Sequence, residues 1–171
     1  LSINPKKQKV INYINEVIRP ARPEFGNMPV CPFAGPELDS GKLMIDCINE
    51  EQSLGFLLDK YKNSNYNSAL LILELPEGET LSAEETEEFQ VFVNKVIKHK
   101  GYKDIKTICF NPNDPVSING FNPRGKAPYF LINIAGREEL HKAHKHLTKT
   151  SYYDNMDAKY KSFLKIGGKN G

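Results

Sequence analysis

The chain of 171 residues predicts an α/β (or α+β) fold: one domain over residues 1–171, with a four-stranded mixed sheet covered by helices. The predicted element order is α-β-α-β-α-β-β-α. Three observations lead there. Short apolar runs bounded by turn residues alternate with longer stretches whose apolar residues repeat at helical spacing. The helical stretches are long enough to serve as crossovers between strands. The length suits a single core, which at this size buries roughly 70% of the surface an unfolded chain exposes.

The first helix is predicted over Pro5–Ile18. Asn4 caps it, Pro5 fits its first turn, and Val10, Ile11, Ile14, Val17 and Ile18 form one stripe before Pro20 and Pro23 end it. Lys42–Ile48 reads as a strand. A short helix then carries Leu54, Leu57, Leu58 and Tyr61, and Asn63–Asn67 reads as a turn. Ala69–Leu75 is a strand with apolar residues on both faces, as a central position requires. In the next helix Ser82 and Glu85 form a capping box, and Phe89, Phe92, Val93, Val96 and Ile97 form the inward stripe up to Gly101. Ile105–Phe110 and Tyr129–Ala135 are the last two strands. A helix over Arg137–Leu147 follows, turning Leu140, Ala143, His144 and Leu147 inward. The glycines Gly167, Gly168 and Gly171 predict a frayed tail over 165–171.

Composition narrows the function classes. A net charge of +2 gives no support to a nucleic-acid or membrane-surface binder. Tyr152, Tyr153 and Tyr160 interleave with lysines, but near-neutral charge argues against base stacking. Glu74, Glu77, Glu79, Glu84, Glu85, Glu87 and Glu88 crowd one stretch without Lys or Arg, whereas Lys95–Lys106 leans basic. Solvated helix faces account for both. The cysteines Cys31, Cys47 and Cys109 are odd in number and lack CxxC spacing, which suits a reducing compartment. No signal-peptide pattern opens the sequence, and the longest apolar run, Ala69–Leu73, is too short for a bilayer. A cytoplasmic protein is expected.

Two segments break the periodic pattern, Arg19–Gly41 and Asn111–Pro128. Connections in compact domains usually run to about 4–6 residues, and much longer ones are functional or disordered. Nine of the eleven prolines fall in these two, which lowers the entropy lost on ordering them. Phe25, Met28, Val30, Phe33, Val116, Ile118 and Phe121 supply apolar anchors. Both segments are therefore expected to be rigid walls. Of the chain's four arginines, Arg19, Arg22 and Arg124 lie in or beside them. A guanidinium is a rigid fork for carboxylate or phosphate, so an anion pocket is one reading. The other is that each arginine ties down local carbonyls or pairs with Glu24, Glu37, Asp39 or Asp114.

Cys31 stands between prolines in Met28–Phe33, and a nearby arginine would lower its pKa and make it a nucleophile. In an apolar setting it is a small packing residue instead; Cys47 and Cys109, inside strands, read as core. His141, His144 and His146 do not form a three-ligand site, because His146 points well away from the other two on a helix. A metal at His141 and His144 is not favoured. No phosphate-loop, dinucleotide or hydrolase motif is present, so no cofactor is implied.

Cys31-Pro32-Phe33-Ala34, Phe110-Asn111-Pro112 and the stretch Asn122–Tyr129 together resemble a bacterial family known only as domain of unknown function 1415. That family carries His where this chain has Asn111, and this chain inserts residues between Arg124 and Pro128. The resemblance implies no activity, but its motifs coincide with the two aperiodic segments. The function expected is an enzyme acting on a small anionic metabolite, such as a carboxylate or amino acid. Arg19, Arg22 and Arg124 would bind the anion, Asn111 and Asn122 would orient it, and Cys31 or Tyr129 would sit at the reacting centre. A non-catalytic binding protein using the same pocket, or an adaptor whose Glu74–Glu88 face meets a basic partner, are the alternatives.

Overall fold

The computed structural model describes residues 2–156; the predicted tail over 165–171, and Tyr160, lie outside them. The helices are α1 (Pro5–Tyr13), α2 (Ala34–Asp39), α3 (Leu54–Asn63), α4 (Ala83–His99) and α5 (Arg137–Leu147). The strands are β1 (Ala21–Arg22), β2 (Met28–Pro29), β3 (Leu43–Ile48), β4 (Ser68–Leu73), β5 (Ile105–Phe110) and β6 (Leu131–Gly136). The α/β class and the four-stranded mixed sheet are as the sequence predicts. The differences lie in the aperiodic segments, where β1 and β2 form a small antiparallel pair and α2 adds a helix. These pieces are too short for hydrophobic periodicity to reveal.

The main sheet runs β3-β4-β6-β5. β3 and β4 are parallel, joined by α3 as crossover, and β6 lies antiparallel between β4 and β5. Period-two alternation divides the apolar residues between two layers. Met44, Ala69, Leu71, Ile132, Ile134, Ile105 and Cys109 pack with Leu57 and Leu58 of α3 and with Val93 and Ile97 of α4. On the opposite face Cys47, Ile72 and Leu131 pack with Val10 and Ile14.

Asn4 accepts from the Lys6 backbone N–H at 2.8 Å, capping α1. The helix does not continue unbroken to Ile18: a wider π turn spans Ile14–Ile18, closed by Arg19 N–H donating to the Ile14 carbonyl at 2.8 Å. The Ser82–Glu85 capping box forms. One residue of the predicted α4 stripe departs from it. Phe92 is 52% exposed and Val91, its neighbour, equally so, because the helix meets the sheet along Val93 and Ile97 and Phe92 lies a quarter turn off that line. In α5 only Leu147 is fully buried; Leu140, Ala143 and His144 are partly so.

β3 is an edge strand, and its one charged side chain is enclosed. Asp46, with a side chain 4% exposed, takes ion pairs from Lys60 at 2.7 Å and Lys7 at 3.2 Å. Gln52 Nε2 and the Cys47 N–H also donate to it, at 3.0 and 3.1 Å. Burial alone would raise its pKa, but these donors and cations outweigh it and hold the carboxyl below its ordinary range. The two lysines arrive from α1 and α3, so the carboxylate ties the two helices across the sheet edge. Such a group contributes stability above the unfolded pKa and loses it as pH falls through the depressed value. Asp46→Asn is expected to cost about 2 kcal/mol at neutral pH. In urea unfolding the gap from wild type should narrow as pH is lowered toward 3, and a gap independent of pH would contradict the assignment.

Candidate functional site

The two aperiodic segments leave opposite ends of the sheet, since β3 and β5 run in the same direction. Arg19–Gly41 leads into the start of β3 and Asn111–Pro128 leaves the end of β5. They nevertheless meet on the face that α1 covers. Ala34, Leu38 and Ala127 join Val10 and Ile14 there, and the Tyr13 hydroxyl donates to the Pro123 carbonyl at 2.6 Å. A third apolar cluster then joins the segments to each other: Phe25 and Ile118 pack with Leu147, Tyr152 and Met156, flanked by Met28, Val30, Phe33 and Phe121. Val116, offered as an anchor by the sequence, is exposed instead.

The first segment is pinned closely. Gly26 has φ +64, and a Cβ there would lie 2.0 Å from the Ser151 carbonyl oxygen, so only glycine fits. Ser151 Oγ donates to the Gly26 carbonyl at 2.7 Å, and the Tyr152 hydroxyl donates to the Val30 carbonyl. Thus Tyr152 serves the interior. Tyr153 lies edge-on to His144, with its hydroxyl 2.7 Å from Nδ1. Among the described residues no group of three His, Cys, Asp or Glu side chains is placed to hold a metal ion.

Most of the predicted binding residues have partners within the fold. Arg19 pairs with Asp39 and also donates to Asn15. Arg124 pairs with Asp114 at 2.6 Å, its guanidinium 4.9 Å from the centre of the Phe110 ring. Buried Asn111 donates to the Leu81 carbonyl at 2.7 Å and to Thr86 Oγ1 at 2.9 Å, anchoring the end of β5 to the start of α4. Asn122 donates to the Asp114 carbonyl and accepts from the Gly125 N–H, shaping its own segment. Tyr129 packs beside α1 with the Lys9 ammonium 6.0 Å from its ring centre.

Arg22 differs. Its Nε donates to the Val17 carbonyl at 3.1 Å and Nη2 to the Glu16 carbonyl at 3.4 Å. Its guanidinium lies 4.1 Å from the centre of the Phe121 ring, on the other segment. Among the described residues no carboxylate pairs with it, and Nη1 has no hydrogen-bond partner. A flat, oriented cation without a counter-charge therefore stands at the junction.

Cys31 is half-buried. Burial pushes its thiol pKa up, the nearby Phe33 and Ala34 N–H groups work against this, and Glu37 raises it further. No arginine contributes, so the activation imagined from sequence has no source here. Glu37 itself, a residue the sequence reading considered only as an arginine partner, accepts from the Ser68 hydroxyl. Burial and the neighbouring Glu139 raise its pKa while Ser68 lowers it, leaving the carboxyl above its usual range. Its tertiary neighbours come from β4 and α5, so no spacing in the sequence could have singled it out.

Cys31 should accordingly behave as a thiol at neutral pH. Its alkylation by iodoacetamide is expected to be slower at about pH 7.5 than that of the unfolded chain, with a rate still climbing above about pH 9. A rate that levels off below about pH 8 would mean a stabilised thiolate. No helix among the described residues is long and apolar enough to cross a membrane. No protein family, curated protein or solved structure matches the chain.

Proposed function

We propose that the chain is an enzyme acting on a small anionic metabolite, bound where the Arg19–Gly41 and Asn111–Pro128 segments meet. The observation that carries this reading is Arg22, whose guanidinium has carbonyls and the Phe121 ring as neighbours and, among the described residues, no carboxylate partner. A guanidinium held flat with free N–H donors suits carboxylate or phosphate better than a mobile lysine would. The length of the second segment supports the same view. β5 and β6 are antiparallel neighbours with Phe110 opposite Leu131, a connection that a two-residue turn could close. Residues 111–130 occupy it instead, and topology does not require them.

In this reading Arg22 orients the anion, while Arg19, Arg124, Asn111 and Asn122 keep the walls in shape. Cys31 is the candidate nucleophile and Glu37 the candidate proton acceptor for its thiol, with Tyr129 on the neighbouring wall. A thiol with a raised pKa is quiet until a base takes its proton in the bound complex. A binding protein without turnover would use the same junction and dispense with Cys31.

The test is a thermal-shift screen of wild type, Arg22→Gln and Arg22→Lys against small carboxylates and phosphorylated metabolites. One class should stabilise wild type and bind at least about tenfold more weakly to Arg22→Gln, with Lys a poor substitute. Cys31→Ser should keep that shift and lose turnover of the same compound; retained turnover would remove the thiol from the mechanism. No shift with any anion, or an undiminished shift in Arg22→Gln, would overturn the reading.

A further inference from the structure

Helix α4, on the face of the sheet opposite α1, presents a second unexplained feature. Its inward side is held to the sheet edge by side-chain bonds. Gln90 accepts from the Cys109 N–H at 2.9 Å and donates to Thr107 Oγ1 at 2.9 Å, and Asn94 Oδ1 lies 3.3 Å from the same hydroxyl. These bonds occupy the Cys109 N–H and the Thr107 hydroxyl of β5, an edge strand. The outward side carries Glu84, Glu88, Val91, Lys95 and Lys98, all exposed, at alternating spacings of four and three. That is the spacing of a seam facing another helix. Val91 and Phe92 are each 52% exposed at its middle.

The charges along this seam are ordered. Glutamates occupy the first half, apolar residues the centre and lysines the second half. Among the described residues none of Glu84, Glu88, Lys95 or Lys98 has a side-chain hydrogen bond or ion pair. The helix dipole favours acids in the first turn and bases in the last, but its influence fades within a turn. It therefore does not account for Glu88 and Lys95, which lie further in, nor for two large apolar side chains left in water between them.

We propose that α4 is the interface of a two-fold symmetric dimer, packing antiparallel against α4 of a second copy of this chain. A two-fold axis at Val91 sets Glu84 opposite the other copy's Lys98 and Glu88 beside its Lys95, one residue, about 1.5 Å of helix rise, from exact opposition, in both directions at once. Val91 and Phe92 then cover their counterparts in the centre. Self-complementarity of this kind is what an isologous interface demands. A parallel arrangement would oppose like charges along the whole seam. A basic partner protein would satisfy only the glutamates and leave the lysines repelled, so a second copy fits the pattern better. The dimer also gives Glu84 and Glu88 partners that no other part of the described chain provides.

Sedimentation equilibrium over a concentration series up to about 100 µM tests this. Wild type should dimerise, and Val91→Asp should be monomeric with unchanged circular dichroism and a melting temperature that no longer rises with protein concentration. The double variants Glu84→Lys/Glu88→Lys and Lys95→Glu/Lys98→Glu should each weaken self-association at least about tenfold. Mixed together, they should form a heterodimer, because one seam is then wholly positive and the other wholly negative. A monomeric wild type overturns the proposal. So does a dimer indifferent to Val91→Asp, or a mixture of the two charge variants that fails to associate.

Discussion

The cluster of Phe25, Ile118, Leu147, Tyr152 and Met156 lies off the sheet, and the candidate site depends on it. The aperiodic segments have few ladder hydrogen bonds, so apolar burial has to supply most of what orders them, at roughly 25 cal/mol for each Å² removed from water. Proline limits how much entropy that burial must overcome. Because the cluster draws residues from both segments, from the end of α5 and from the turn after it, loosening any one would release the others. Arg22 is held against Phe121 only while they stay together.

Polar side chains do the complementary work at the boundaries. Asp46 joins α1 and α3 across the edge of β3, Asn111 joins β5 to α4, and Asp114 with Arg124 braces the segment between β5 and β6. Each is largely enclosed and satisfied, as buried polar groups must be to avoid an uncompensated desolvation cost. This explains why so many chemically able residues of the loops have structural duties. Loops that lack regular hydrogen bonding recruit arginines, asparagines and aspartates to close their backbones. The same residue types build binding sites, and only the partners tell the two uses apart.

The glutamates of α4 make the same point in reverse. A run of charge on a helix is ordinarily a solvated face, and so the sequence suggested. Once the inward side is known from the bonds of Gln90 and Asn94 to β5, the outward seam becomes a defined object. Its charge order about Val91 then carries information that composition had concealed.

The sequence by itself determined the α/β class, the main helices and strands, and the positions of the two aperiodic segments. Those features rest on hydrophobic period, caps and proline content, which are local and survive without knowledge of the fold. It also placed Cys47 and Cys109 in the core, because strand interiors are buried on both faces. Only the tertiary structure decided that the segments leave opposite ends of the sheet, which follows from β6 entering antiparallel between β4 and β5, and that they nevertheless meet on the α1 face. It alone separated Arg22 from Arg19 and Arg124, brought Glu37 beside Ser68, and turned Phe92 outward. Each of these depends on partners distant in sequence, and periodicity within one element holds no information about what a different element brings to it.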